Sequence, residues 1–340
     1  MTHPRLTFGV TILATLPPQE LVTAAKQAEA LGFDYFWLTD SSLHGYYVYP
    51  YLTLAATNTK KIRLGTNCTH PLTMHPAMTA NAIATINTIS GGRAVLGIGA
   101  GGGPTAELRP QSGAAKVHDL EDMVSVAHRL LAGERISYQG DDYQIRDAHV
   151  MYGLEGFQPP KIYITASGPR TFEMAGRVAD GVLMTCGGSR EGLDFAIKHV
   201  RIGAEAAGRR LDDLDLAWHV FGTFDNDPEV ANRLGAQAGA MFANAFPTYC
   251  SLAGISDERV ANVKRAYVGA RHFTEAHAAA KLVTKEMVER LTVSGGKAVW
   301  QERIAMAREA GISHIELFVL GEPLAVMQGL ADEVLAVGAA

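Results

Sequence analysis

Short apolar runs alternate along the chain with longer stretches in which apolar residues return every third or fourth position. Leu6–Thr11 (LTFGVT) reads as a strand. Leu21, Ala24, Ala25, Ala28 and Leu31 then mark one face of a helix, which Pro17-Pro18 opens and Gly32 closes. Strand-like runs recur at Tyr35–Thr39, Ile62–Thr66, Ala94–Ile98, Ile162–Thr165, Gly181–Met184, Leu214–Phe221 and Ile315–Phe318, making eight. Helical periods occupy Ala77–Ile89, Met123–Leu131, Thr171–Val178, Gly192–Ala207, Ala298–Ala310 and Leu324–Val337. Strands apolar on both faces, each followed by a helix, predict a parallel sheet covered by helices. Eight such units predict an α/β fold of the (β/α)8 TIM barrel type, one domain over residues 1–340, with an open doubly wound sheet as the competing arrangement.

Two stretches interrupt the rhythm after the fourth and seventh strands. Residues 132–160 hold a polar segment whose ISYQGDDYQI run predicts a hairpin turning at Gly140-Asp141. A helical insertion is expected at about 225–297, and insertions at such positions usually build or cover an active site.

Composition narrows the choice. The 340 residues are 47% hydrophobic and 19% charged, enough for a sizeable core, and the formal net charge of −5 gives no basic surface for nucleic acid. Cys68, Cys186 and Cys250 lie far apart without metal-ligand spacing, so neither a disulfide scaffold nor a zinc site is expected. The first residues are too polar for a signal peptide and no apolar run approaches a membrane span, so a cytoplasmic protein without a membrane partner is expected.

In a barrel of this type the reacting groups lie just beyond the strands' C-terminal ends. Asp40 is the best placed acid, with Ser41 and Ser42 behind it, although orienting the loop backbone is its ordinary alternative duty. The run Gly97–Gly103 fits either a tight turn or close approach to a flat ring, and Pro104 argues against a dinucleotide loop. Ala166-Ser167-Gly168-Pro169-Arg170 joins a strand to a helix, where free N–H groups, a hydroxyl and a bare glycine make a phosphate cradle or simply a capped loop. His44, His70 and His75 cluster early and are pocket or loop residues; no metal is expected on them. Cys68 reads as a nucleophile or, with nothing beside it in sequence to lower its pKa, as packing.

The stretch from Ile62 to Gly101, IRLGTNCTHPLTMHPAMTANAIATINTISGGRAVLGIGAG, closely resembles the signature region of luciferase-like monooxygenases. Pro159–Gly181 resembles that family's phosphate loop, and Ile312–Gly321 its eighth strand, so the likeness runs from Phe8 to about Glu322. Trp37-Leu38-Thr39-Asp40 and the Ala-Ser-Gly-Pro-Arg run are most similar to the branch of coenzyme F420-dependent oxidoreductases that includes methylenetetrahydromethanopterin reductase. The resemblance implies a deazaflavin ring beside Asp40, held against a bulge at Asn67-Cys68 where the family often has a non-proline cis peptide, and passing near Gly99 and Ala100. It places the ribityl-phosphate end on Thr165, Ala166, Ser167, Gly168 and Pro169 and on Cys186, Gly187 and Gly188.

Substrate-side candidates are His44, Tyr46, Tyr47 and Trp218. Ser41 stands where these enzymes commonly have histidine, and Thr11 where reductase-like members tend to have a carboxylate. Ser41 alone is no proton acceptor near neutral pH, which argues against simple alcohol oxidation. The expected function is hydride transfer between coenzyme F420 and a small organic substrate, with Asp40 and Ser41 as catalytic candidates. The alternatives are a reduced-FMN monooxygenase and, in a different class, a non-catalytic flavin-binding protein. A homodimer follows from the resemblance, through the helices after the first two strands, including the apolar face Leu52–Ala56.

Overall fold

The computed structural model describes residues 5–102, 107–108, 114–141, 143–154, 156–267 and 276–335. Strand β1 (Thr7–Ile12) is followed by α1 (Pro18–Ala30), β2 (Tyr35–Leu38), α2 (Val48–Asn58), β3 (Arg63–Thr66), α3 (Pro76–Ser90) and β4 (Ala94–Gly99). Next come α4 (Val117–Leu131), the hairpin β5 (Ile136–Gln139) and β6 (Gln144–Ala148), then β7 (Lys161–Ala166), α5 (Pro169–Val178), β8 (Gly181–Thr185), α6 (Arg190–Ala206) and β9 (Asp215–Phe224). The seventh-strand insertion holds α7 (Pro228–Ala245), α8 (Pro247–Leu252), α9 (Asp257–Ala266), α10 (His277–Ala280) and α11 (Lys285–Leu291). The chain ends with β10 (Val293–Gly295), α12 (Lys297–Glu309), β11 (His314–Val319) and α13 (Pro323–Leu330).

The strands pair in the order β10-β9-β11-β1-β2-β3-β4-β7-β8, and β9 also pairs with β8. The eight strands expected from sequence therefore form the closed sheet of an α/β (β/α)8 TIM barrel, and the open sheet is set aside. Differences from the sequence reading have local causes. Helix α4 begins six residues before the expected Met123, at Val117, where the Asp119 carboxylate reaches back to accept Lys116 N at 2.7 Å. Strand β10 has only three residues, too few for a periodic signal, and lies parallel to the end of β9 at Gly222–Phe224. The helix expected over Leu324–Val337 is α13 followed by a π-helical turn, Ala331–Leu335, and its last two residues lie outside those described.

The chain divides into two compact units, residues 11–183 with 199–215, and residues 1–10 with 184–198 and 216–340. In the first, a large residue on one strand faces small ones on its neighbours. Trp37 on β2 is fully buried, and a Cβ on Gly65 of β3 would lie 2.6 Å from its ring. A Cβ on Gly97 of β4 would lie 2.0 Å from the Thr66 carbonyl oxygen, so the two glycines set how closely β2, β3 and β4 approach. Tyr163 on β7 meets the Trp37 ring edge-on at 5.4 Å and donates its hydroxyl to the Asp215 carboxylate. Burial and that carboxylate push the Tyr163 phenol well above its ordinary range, so it stays protonated.

In the second unit the alanine- and glycine-rich α7 packs closely against α11, with Gly235 against Val288. Phe221 on β9 stacks on Phe318 of β11 at 4.6 Å, and Phe242 of α7 meets Phe221 edge-on at 6.1 Å. The unit also holds a buried polar pair: His314 Nε2 lies 3.0 Å from Glu316 Oε2, and the half-buried Thr7 Oγ1 lies 2.8 Å from His314 Nδ1.

Candidate active site

The sequence-expected residues of the first unit gather at the C-terminal ends of β1, β2, β3, β4 and β7. The Asn67-Cys68 peptide is cis, at the position the resemblance implies. Around it the backbone is stitched to β4. Thr69 N donates to Gly97 O at 2.9 Å, Gly99 N donates to Thr69 O at 2.9 Å, and the Thr66 hydroxyl donates to Gly97 O at 2.8 Å. The Asn67 side chain ties three strand ends together, donating from Nδ2 to Thr11 Oγ1 at 2.8 Å and accepting from Thr165 Oγ1 at 3.0 Å. Asn67, Thr11 and Thr165 thus orient the bulge. The Thr11 hydroxyl accepts this bond at the end of β1.

A second chain of bonds leads from the bulge to Asp40. The Tyr49 hydroxyl donates to Thr69 Oγ1 at 3.3 Å, and the Thr69 hydroxyl donates to Asp40 Oδ2 at 2.8 Å. His70 Nε2 lies 2.9 Å from the Asp40 carbonyl oxygen, while its buried Nδ1 has no hydrogen-bond partner. Burial opposes charge on this imidazole, but the Cys68 thiol beside it and then Asp40 outweigh that and push it up to about 9. Thr69 and His70 hold the acid in place, and composition gave no signal for Thr69 beyond its position two residues after Asn67.

Glycines keep the surroundings open. A Cβ on Gly99 would sit 2.3 Å from Cys68 Sγ, so bare backbone is needed where the thiol lies. Gly168 precedes α5 as its N-cap, with no side-chain cap and nothing within 4 Å of the place a Cβ would take. The first N–H groups of a helix have no intrahelical partner, a donor set that suits an anionic oxygen. Ala166 is buried at the end of β7 and Ser167 half-buried beside Gly168. Ala100 accepts Ala115 N at 2.8 Å as the loop after β4 returns; Gly103 and Pro104 lie outside the described residues.

Beside Asp40 lies a cavity of about 380 Å³, lined by Leu43, Tyr47, Tyr49, Thr73, Met74 and Leu108 among the described residues. The Tyr47 hydroxyl donates to Met74 Sδ at 3.2 Å, a weak acceptor. Partial burial and the Asp40 carboxylate push the Tyr47 phenol up, and burial does the same at Tyr49, so both stay neutral donors.

The three early histidines take separate roles. His44 Nε2 pairs with Glu107 Oε2 at 2.9 Å, His70 supports Asp40, and His75 accepts Ala77 N at 3.2 Å as the N-cap of α3. Ser41, which precedes a short helical turn, is half-buried and caps nothing with its side chain. Tyr46, expected on the substrate side, instead stacks on Tyr51 at 4.7 Å. His118, Asp119 and Asp141 gather at the surface by α4 as ion pairs, at 3.1 and 2.9 Å from the imidazole.

In the second unit, Cys186 is wholly buried, and burial pushes its thiol up, so it is a packing residue there. Gly187 takes a positive φ of 79° and its carbonyl accepts the Trp218 indole N–H at 2.9 Å. Trp218 is wholly buried, with its indole N–H turned to that carbonyl. Gly188 N donates to Arg290 O at 3.1 Å, so this amide is engaged by the protein and not presented to a phosphate.

Residues 6–314 match the model of the luciferase-like monooxygenases. The 5,10-methylenetetrahydromethanopterin reductase of Archaeoglobus fulgidus is 32% identical over 320 residues, 93% of each chain. An F420-dependent glucose-6-phosphate dehydrogenase of Nakamurella multipartita is 34% identical over 68% of this chain and 71% of its own. The structure of the coenzyme F420-dependent tetrahydromethanopterin reductase from Methanopyrus kandleri superposes with a TM-score of 0.84 at 26% identity, covering 98% of this chain and 99% of that one.

Proposed function

The chain belongs to the luciferase-like monooxygenase family, and we propose that it is a coenzyme F420-dependent oxidoreductase moving hydride between the deazaflavin and a small organic substrate. The observation that carries this reading is the Asn67-Cys68 bulge. It is fixed from three strands, faces the bare backbone of Gly99, and leads by hydrogen bonds to Asp40. The residues fit the cofactor: open space over Gly168 and the uncapped start of α5 suit its phosphate end, and the backbone at Gly99 and Ala100 suits a flat ring. When bound, the deazaflavin supplies a ring carbon that takes up or returns a hydride.

The chain's own residues do the rest. Asn67, Thr11 and Thr165 hold the bulge rigid; the backbone N–H groups that follow Pro169 in the first turn of α5 present donors to the cofactor's phosphate end; Asp40, held by Thr69 and His70, orients the substrate's polar head. Most of the rate gain expected from such an arrangement comes from fixed distance and angle. The homodimer and the cytoplasmic location belong to the same proposal.

Equilibrium titration of the purified protein with F420 and separately with FMN, read by ultrafiltration and absorbance, tests it. Micromolar or tighter F420 binding with weak FMN binding is expected. Preference for FMN favours the oxygen-dependent alternative, and binding of neither overturns the cofactor assignment.

A further inference from the structure

The cavity beside Asp40 has a chemical character of its own, and resting on the reading above we propose what it takes: a substrate with a flat apolar body and one uncharged oxygen-bearing head, carrying no anionic group. Three apolar side chains, Leu43, Met74 and Leu108, form the wall. Tyr47 and Tyr49 add ring faces, and about 380 Å³ accommodates a body of two fused rings.

The polar side chains of the lining are Asp40, the two tyrosine hydroxyls and Thr73, whose hydroxyl donates to His70 O at 3.2 Å. Asp40 is the one charged side chain among the described lining residues, and Thr69 engages only its Oδ2. The Tyr47 hydroxyl rests on the Met74 sulfur, so turning it to a carbonyl or hydroxyl oxygen forfeits only a weak bond. Tyr49, by contrast, is buried and engaged by Thr69, and serves the wall. The head therefore meets one neutral donor and one carboxylate acceptor.

That pairing suits a neutral oxygen and repels an anion. A carboxylate or phosphate in this space would face Asp40 within several ångströms. Such like-charge contact lowers affinity by about a hundredfold relative to a neutral isostere. A sugar phosphate fails on both counts, being anionic at one end and polar along its body.

Calorimetric titration of the F420-loaded protein with acetonaphthone, naphthoate and naphthyl phosphate separates the cases by charge at nearly constant shape. Acetonaphthone is expected to bind, and the two anions about a hundredfold more weakly. In Asp40→Asn the gap should shrink to about tenfold or less. Met74→Lys, a change at a half-buried wall position, should raise naphthoate affinity by about tenfold while acetonaphthone moves less than about threefold. Either anion binding wild-type protein as tightly as the ketone, failure of the ketone to bind, or a gap unchanged in both variants overturns the proposal. Retention of F420 is measured on the same preparation. Protein that retains none refutes the cofactor reading, while the same titrations on the cofactor-free chain still decide the charge preference of the cavity.

Discussion

Two of the polar groups in the molecule are built differently. At the strand ends of residues 11–183, Asp40, Thr69, His70 and Asn67 are linked in a chain that leaves capacity over: Asp40 Oδ2 is engaged, and Tyr47 bonds only a sulfur. In the other unit, His314 and Glu316 lie wholly inside and bond one another, with half-buried Thr7 on the far side of the imidazole. The first arrangement keeps polar atoms ready for a ligand, and the second avoids leaving a buried group unpaired. The histidines register the contrast. His70 is pushed up to about 9, whereas burial, and then the neighbouring His314, holds His219 down to about 3.

The largest effect should come from breaking the closed group. Glu316→Ala removes the carboxylate that meets His314 Nε2 inside the core and is expected to cost about 3–5 kcal/mol in urea unfolding. Asp40→Asn, judged by the same unfolding curve, should change stability by less than about 1 kcal/mol while reducing turnover by about a hundredfold or more. Equal stability losses in the two variants would erase the distinction between them.

Glycines give a sharper and somewhat smaller test. A Cβ on Gly9 would lie 2.0 Å from Glu316 Oε2, so Gly9→Ala should destabilise by about 1–3 kcal/mol. Gly168→Ala meets nothing within 4 Å and should leave the melting temperature nearly unchanged. Its methyl instead intrudes on the space before α5, so F420 affinity should fall. Unchanged affinity would remove Gly168 from the cofactor site.

The smallest effect is in the pH profile of stability. His219, with a folded pKa of about 3 against an ordinary 6.5, contributes stability that is complete above 6.5 and lost as pH falls from there toward 3. His70, at about 9, contributes stability complete below 6.5 and lost as pH rises from there through 9. Melting temperatures from pH 4.5 to 9.5, a range set about these values, should show His219→Gln flattening the acid side and His70→Gln the alkaline side. The same flank flattening in both variants would contradict the assignment.

Much of this was legible in the sequence, and what was not has physical reasons. Eight apolar runs with intervening helical periods specify a barrel, because only a sheet covered on both faces tolerates strands such as AVLGIG and GVLMT. Asp40, Asn67 and Gly168 could be named because strand ends and glycine loops leave local marks. Trp218 could not be placed. Its indole donates to the Gly187 carbonyl in the loop after β8, and nothing in WHVF distinguishes an inward ring from a ligand-facing one. Tyr49 and Thr69 were likewise silent, since their importance lies in a bond across 20 residues. The cavity depends on Met74 and Leu108 meeting Tyr47 from distant loops, which no periodicity encodes.

The central claim is tested most directly by anaerobic single-turnover absorbance measurements. Oxidised F420 bound to the enzyme is mixed with a panel of neutral alcohols, and reduced F420 with the matching carbonyl compounds. The account predicts a change in the deazaflavin band with one substrate molecule converted per cofactor and no need for oxygen. Turnover that appears only with reduced FMN and oxygen would contradict it.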